Sequence, residues 1–226
     1  APEYAIQAVQ AAVERPFDEG IALERTLCTE LKASAQSRAQ RHVFFAEREA
    51  AKVPGIGRDT PVARIGRTAV IGAGTMGGGI AMCLAQAGIP VTLVETAQAA
   101  LDRGLATIRR NWEATARRGG LGGATVDGLM ALVRPSLDAA DIADADLVIE
   151  AVFEDTAVKK SVFALMDRHA KAGAVLATNT STLDVDDIAT ATGRPGSVVG
   201  LHFFSPANVM KLLEIVRGRA TEPAVI

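Results

Sequence analysis

Residues 68–95 read TAVIGAGTMGGGIAMCLAQAGIPVTLVE, and this stretch decides the fold. Thr68–Ile71 is a short apolar run of strand character. Gly72-Ala73-Gly74-Thr75-Met76-Gly77 follows it as a G-x-G-x-x-G. Small residues from Thr75 to Ala87 make a helix, closed by Gly88 at a C′-like position. A second apolar run, Val91–Val94, ends at Glu95. Strand, glycine turn, helix, strand and acid in that order form a dinucleotide-binding unit. Gly72 permits the tight turn, Gly74 lets backbone approach a pyrophosphate, and Gly77 lets the helix pack closely on the strand. The helix N-terminus, opened by Thr75 and Met76, offers free N–H groups to the phosphates. An acid at Glu95 accepts hydrogen bonds from ribose hydroxyls and repels a 2′-phosphate, so NAD is expected over NADP. FAD would use the same turn, and the fingerprint alone does not choose between them.

The same segment carries no charge from Thr68 to Val94 and is long enough to cross a bilayer. Six glycines and Pro90 break it into strand, turn, helix, turn and strand, so no membrane span is expected. Downstream the alternation continues. Ala97–Arg118 and Asp155–Lys171 read as amphipathic helices around a glycine-rich turn at 119–123. Leu147–Val152, Ala174–Thr178, Val198–Phe204 and Leu212–Val216 read as strands. Short apolar strands alternating with helices imply an α/β fold, a doubly wound, mostly parallel sheet with helices on both faces. Upstream, residues 1–52 read as helical, broken around Pro16 and Gly20, and 53–63 as a Gly/Pro-rich linker. The sheet domain is expected over 64–219, with 220–226 opening something further.

Composition narrows the function classes. The 226 residues are 49% hydrophobic and 22% charged, with 24 basic against 26 acidic side chains and a net charge of −2. Scattered Lys and Arg argue against a nucleic-acid partner. Cys28 and Cys83 are too few for a disulfide framework, and no His/Cys pair has zinc-ligand spacing, so no metal is expected. No G-x-S-x-G elbow is present for a serine hydrolase.

Polar residues gather at the ends of the later strands, where open α/β sheets bind ligands. They fall in Glu150-Ala-Val-Phe-Glu154, Asn179-Thr-Ser-Thr182, and Gly200-Leu-His-Phe-Phe-Ser-Pro206 followed by Lys211-Leu-Leu-Glu214. A lone His202 in an apolar run is usually a core histidine. Glu214 in the next apolar segment makes it a candidate general base, because a carboxylate fixes the imidazole tautomer and stabilises the imidazolium. Ser181 can hydrogen-bond a substrate oxygen as charge develops, or cap the short helix after it, where Asp184 competes for that role. Lys159 is either solvated or reaches a cofactor. His42 and His169 read as surface residues.

Taken together, the glycine turn with Met76, VIEAVFED (148–155), NTSTL (179–183) and GLHFFSPANVMKLLEIV (200–216) resemble the 3-hydroxyacyl-CoA dehydrogenase family. The resemblance covers about Arg64 to Gly218 and implies a Rossmann-type domain with NAD as cofactor. It implies that His202 takes the 3-hydroxyl proton, that Glu214 is its partner, and that Ser181 bonds the substrate oxygen. It places Glu154 and Lys159 by the nicotinamide half of the cofactor, and Asn179 is a further cofactor-binding candidate. Glu95 stands where the family usually has Asp.

PFDEGIALERTLCTEL (16–31) and SRAQRHVFFAEREAAKVPG (37–55) resemble the tail of a crotonase-type hydratase and its linker helix, an order found in multifunctional fatty-acid oxidation enzymes. On this resemblance the chain is expected to be a piece of such an enzyme, without the hydratase core and the C-terminal helical domain. The expected activity is NAD-linked oxidation of a 3-hydroxyacyl-CoA, in a bacterial cytosol or, in a eukaryote, a peroxisome. Two alternatives stand beside it. One is a non-catalytic NAD-binding or assembly module, suggested by apolar Leu27, Leu31, Phe44 and Phe45 among the helices. The other is a short-chain 3-hydroxybutyryl-CoA dehydrogenase.

Overall fold

The computed structural model describes residues 1–50, 52–57 and 59–226. Ala51 and Arg58, which belong to the expected helical tail and linker, lie outside the described residues. The chain forms two compact units, Ala1–Asp59 and Thr60–Ile226.

The first unit is helical: α1 (Pro2–Glu14), α2 (Phe17–Ala33) and α3 (Ala35–Ala50). The break expected around Pro16 and Gly20 falls at Pro16 alone, which sits at the N-cap of α2. Gly20 lies inside α2, where a Cβ would come within 3.5 Å of the Ala11 carbonyl oxygen. It is a close-packing point between α1 and α2, with Ala11 and Leu27 buried. The Tyr4 hydroxyl donates to Glu30 across the same pair, and that carboxylate raises the phenol's pKa. Leu27 is therefore interior to the unit, while Phe44 and Phe45 on α3 stay exposed, edge to face, with Arg48 over the Phe44 ring.

The second unit holds a seven-stranded sheet. Its elements run β1 (Thr68–Ile71), α4 (Thr75–Gln86), β2 (Val91–Val94), α5 (Gln98–Arg117), α6 (Val126–Met130), β3 (Val133–Ser136), β4 (Leu147–Glu150), α7 (Thr156–His169), β5 (Val175–Thr178), α8 (Val185–Ala189), β6 (Val198–Phe203) and β7 (Leu213–Val216). The strand order is β3-β2-β1-β4-β5-β6-β7. All pairs are parallel except β6–β7, which is antiparallel. Alternate residues of each central strand feed opposite cores, as a pleated strand requires. Val70 and Ile149 pack with Ile80, Ile108 and Trp112 on the face covered by α4 and α5. Ala69 and Val148 pack with Phe163, Met166 and Ile188 on the face covered by α7 and α8. Burial on both faces is why these strands read as unbroken apolar runs.

Strand β3 and helix α6 are not apparent in the sequence pattern. Val-Arg-Pro-Ser lacks apolar alternation, and a proline argues against a central strand. The structure puts it at the sheet edge, where a proline is tolerated, beside β2. Both thiols are free; that of Cys83 donates to the Ala207 carbonyl and is pushed up in pKa by burial. Among the described residues, no helix is long and apolar enough to cross a membrane.

Candidate active site

The chain crosses from one side of the sheet to the other between β1 and β4, and a cleft of about 1050 Å³ opens there, beyond the carboxyl ends of the strands. The glycine turn forms one wall. Gly72 has φ +104°, and a Cβ there would stand 2.7 Å from the Ala151 carbonyl oxygen. At Gly77 a Cβ would collide with the carbonyl oxygen of Gly72, because helix and turn meet backbone to backbone. Gly74 differs: a Cβ there would meet nothing within 4 Å, so its face belongs to the cleft. No side chain caps the N-terminus of α4, which leaves its first-turn N–H groups to a ligand. Glu95 is fixed over this turn by the Ala73 N–H at 3.2 Å and the Thr96 N–H at 2.8 Å. An uncapped helix start, an unfilled cradle and an anchored acid fit a dinucleotide, whose phosphates Thr75, Met76 and Gly74 could hold and whose ribose Glu95 could hold.

The far wall comes from the ends of β4, β5 and β6. Glu154 faces the cleft, and its Oε1 accepts the Thr180 hydroxyl at 2.5 Å and the Ser181 N–H at 2.9 Å. Its Oε2 lies 3.2 Å from the Lys159 ammonium. Burial works to raise the Glu154 pKa, but these three donors outweigh it and hold the group below the ordinary value. The Ser181 hydroxyl is only loosely held, 3.4 Å from Glu154, and Asp184 rather than Ser181 caps α8. Ser181 is thus left to face the cleft.

His202 and Glu214 are directly opposed in the β6–β7 ladder, and Nδ1 lies 2.8 Å from the Glu214 carboxylate. A carboxylate can only accept, so Nδ1 carries the proton of this bond, and in the neutral ring Nε2 is the nitrogen left to accept one. Asn179 braces this segment by accepting the Phe203 N–H at 2.9 Å, which leaves its NH₂ group as a donor.

Nine of the twelve site residues named from sequence line the cleft; three do not. Gly77 lies beneath the turn and Glu214 behind His202. Lys159 corrects the expectation of a solvated lysine. Its side chain is 1% exposed rather than solvated, and its ammonium lies between the carboxylates of Glu150 and Glu154. Glu150 and Thr180, quoted from sequence but given no role, bond to Lys159 and Glu154 behind the cleft wall; an acid ending an apolar strand is the signal that could have singled out Glu150. Leu137 and Ala139, also missed, extend the cleft past Glu95 after the unexpected β3.

Residues 67–226 match the family described as 3-hydroxyacyl-CoA dehydrogenase, NAD binding domain. The peroxisomal bifunctional enzyme of Cavia porcellus is 44% identical over 232 residues, matching 100% of this chain and 32% of its own length. The peroxisomal fatty acid beta-oxidation multifunctional protein MFP2 of Arabidopsis thaliana is 34% identical over 226 residues, with 100% and 31% covered. The chain thus spans about a third of the length of these relatives. Among solved structures, 3-hydroxybutyryl-CoA dehydrogenase from Escherichia coli superposes with a TM-score of 0.70 at 40% identity, over 72% of this chain and 34% of that one.

Proposed function

This chain belongs to the 3-hydroxyacyl-CoA dehydrogenase family through its NAD-binding domain, and on that premise we propose that it carries the chemistry of NAD-dependent oxidation of a 3-hydroxyacyl-CoA to the 3-ketoacyl-CoA. The hydrogen-bonded pair of His202 and Glu214 on the cleft is the observation that carries this reading, and it favours a catalytic over a merely NAD-binding role. Bound NAD supplies the acceptor for the hydride that leaves C3. His202 Nε2 takes the proton of the 3-hydroxyl, and Glu214 stabilises the imidazolium that results. The Ser181 hydroxyl donates a hydrogen bond to the substrate oxygen as that oxygen becomes a carbonyl. Glu154 holds the Ser181 backbone in place. Gly74, the start of α4 and Glu95 hold the cofactor's phosphates and ribose.

The names of the relatives support a setting in a multifunctional protein of fatty-acid oxidation, peroxisomal in a eukaryote. A C-terminal domain would then complete the acyl-CoA site. The deciding experiment follows NADH formation from NAD and a (3S)-3-hydroxyacyl-CoA in the intact protein. Steady NADH production with little NADPH production from NADP supports the reading. Tight NADH binding without any turnover would return it to a binding module.

A further inference from the structure

Glu150 is a buried acid for which the reaction just described has no use. It ends β4 with 0% exposure. Its Oε1 accepts the Val152 N–H at 2.8 Å and the Lys159 ammonium at 2.7 Å, while Oε2 accepts the Thr178 hydroxyl at 2.7 Å. An ion pair this deep is a poor device for stability alone, since apolar side chains of equal volume generally serve as well or better. Its geometry suggests a different use. Lys159 is shared between Glu150 and Glu154. Glu154 in turn receives the Thr180 hydroxyl and the Ser181 N–H. Thr178, two residues before Thr180, is tied to Glu150 itself. One buried carboxylate thereby links the end of β4, the first turns of α7 and the end of β5, the segments that deliver Glu154 and Ser181 to the cleft.

We propose that Glu150 is a positioning residue for the dehydrogenase site: acting through Lys159 and Thr178, it fixes the Glu154 carboxylate and, with it, the place of Ser181 on the cleft wall. The inference rests on the reading of Ser181 and Glu154 given above. The negative charge is the essential element. With two carboxylates flanking it, the Lys159 ammonium stays between them. With a neutral group at 150 the ammonium loses one of its two anchors and no longer holds Glu154 in place; with no ammonium at 159, no cation does.

The test compares parent, Glu150→Gln and the double variant Glu150→Gln/Lys159→Met in the intact protein. Glutamine keeps the size and can still accept the Val152 N–H, but it puts an NH₂ where an oxygen took the Thr178 hydroxyl and removes the charge that faces Lys159; the double variant removes both buried charges. The melting temperature is expected to fall in Glu150→Gln and to recover in the double variant. In both, kcat should drop about 10- to 100-fold, the scale of a misplaced reacting group. The KM for NAD should stay within about threefold, because the glycine turn and Glu95 are untouched. A double variant that regains kcat together with its melting temperature would make Glu150 merely structural, and kcat within about twofold of parent in either variant would overturn the proposal too. Should Glu150→Gln fail to fold, the double variant decides alone. A parent that binds NADH yet oxidises no 3-hydroxyacyl-CoA overturns the site reading and this inference together. An active parent with an equally active double variant overturns this inference only.

Discussion

The two ends of the sheet hold carboxylates dressed in nearly the same way. At the amino end, Asp146 accepts the backbone N–H groups of Gly66 and Arg67 and pairs with the Lys171 ammonium. At the carboxyl end, Glu154 accepts a backbone N–H and a hydroxyl and pairs with Lys159. Both are held below the ordinary carboxylate pKa. Asp146 lines no part of the cleft, and its donors come from the chain leading into β1 and β5, so it serves as a clamp. Glu154 stands on the cleft, and its donors come from the loop that carries Ser181. A depressed pKa therefore does not tell the clamp from the proposed site; position relative to the strand ends does.

If that division holds, substitutions at the carboxyl end should separate function from stability. His202→Ala should lower kcat about 10³-fold, the usual size of a positioned general base, with a melting temperature close to parent. Glu214→Gln should follow it in direction. A His202→Ala enzyme with unchanged turnover would remove the base from the mechanism.

Gly77→Ala sharpens the comparison by breaking it. This residue lies at the carboxyl end yet bears on the fold, because its Cβ would strike the Gly72 carbonyl with backbone on both sides. The expected cost is about 3 kcal/mol or more, roughly 6–12 °C in melting temperature, together with loss of NADH binding. Normal binding and melting in this variant would show that helix and turn separate freely, contrary to the geometry. A smaller effect is expected at Glu95. Replacing it by Ala should weaken NADH about 10-fold, the scale of a charged hydrogen bond, and narrow its advantage over NADPH in the same titration.

The glycine turn could be read from sequence because everything in it is local. Gly72, Gly74 and Gly77 lie within six residues, and each answers to one steric demand. Glu214 could be guessed because β7 returns directly along β6, twelve residues from His202. The rest of the wall could not. Thr180 lies 26 residues from Glu154, and Thr178 lies 28 from Glu150, so the contacts exist only once β4 and β5 pair. Lys159 reads like any lysine opening a surface helix; only the fold turns it inward between two acids. Strand β3 escaped because an edge position excuses Arg134 and Pro135 from the apolar pattern that reveals β1 and β4.

The smallest expected effect tests the clamp at the other end. The Lys171 ammonium, with the Arg67 and Gly66 N–H groups, lowers the Asp146 pKa to about 2 in the folded chain. An unfolded Asp titrates near about 3.9. Because the folded value is the lower one, the stabilisation is fully present above about pH 4 and is lost as pH falls through about 2. Asp146 is only partly buried, so its contribution is no more than about 1 kcal/mol, or roughly 2–4 °C. Asp146→Asn should therefore melt slightly below parent at pH 7, with NADH affinity unchanged, and the gap should close between about pH 4 and pH 2. A gap that stays constant down to low pH would mean that the hydrogen bonds rather than the charge hold the amino end. A loss of NADH affinity would mean that the two ends of the sheet are coupled, and the division between clamp and site would fall.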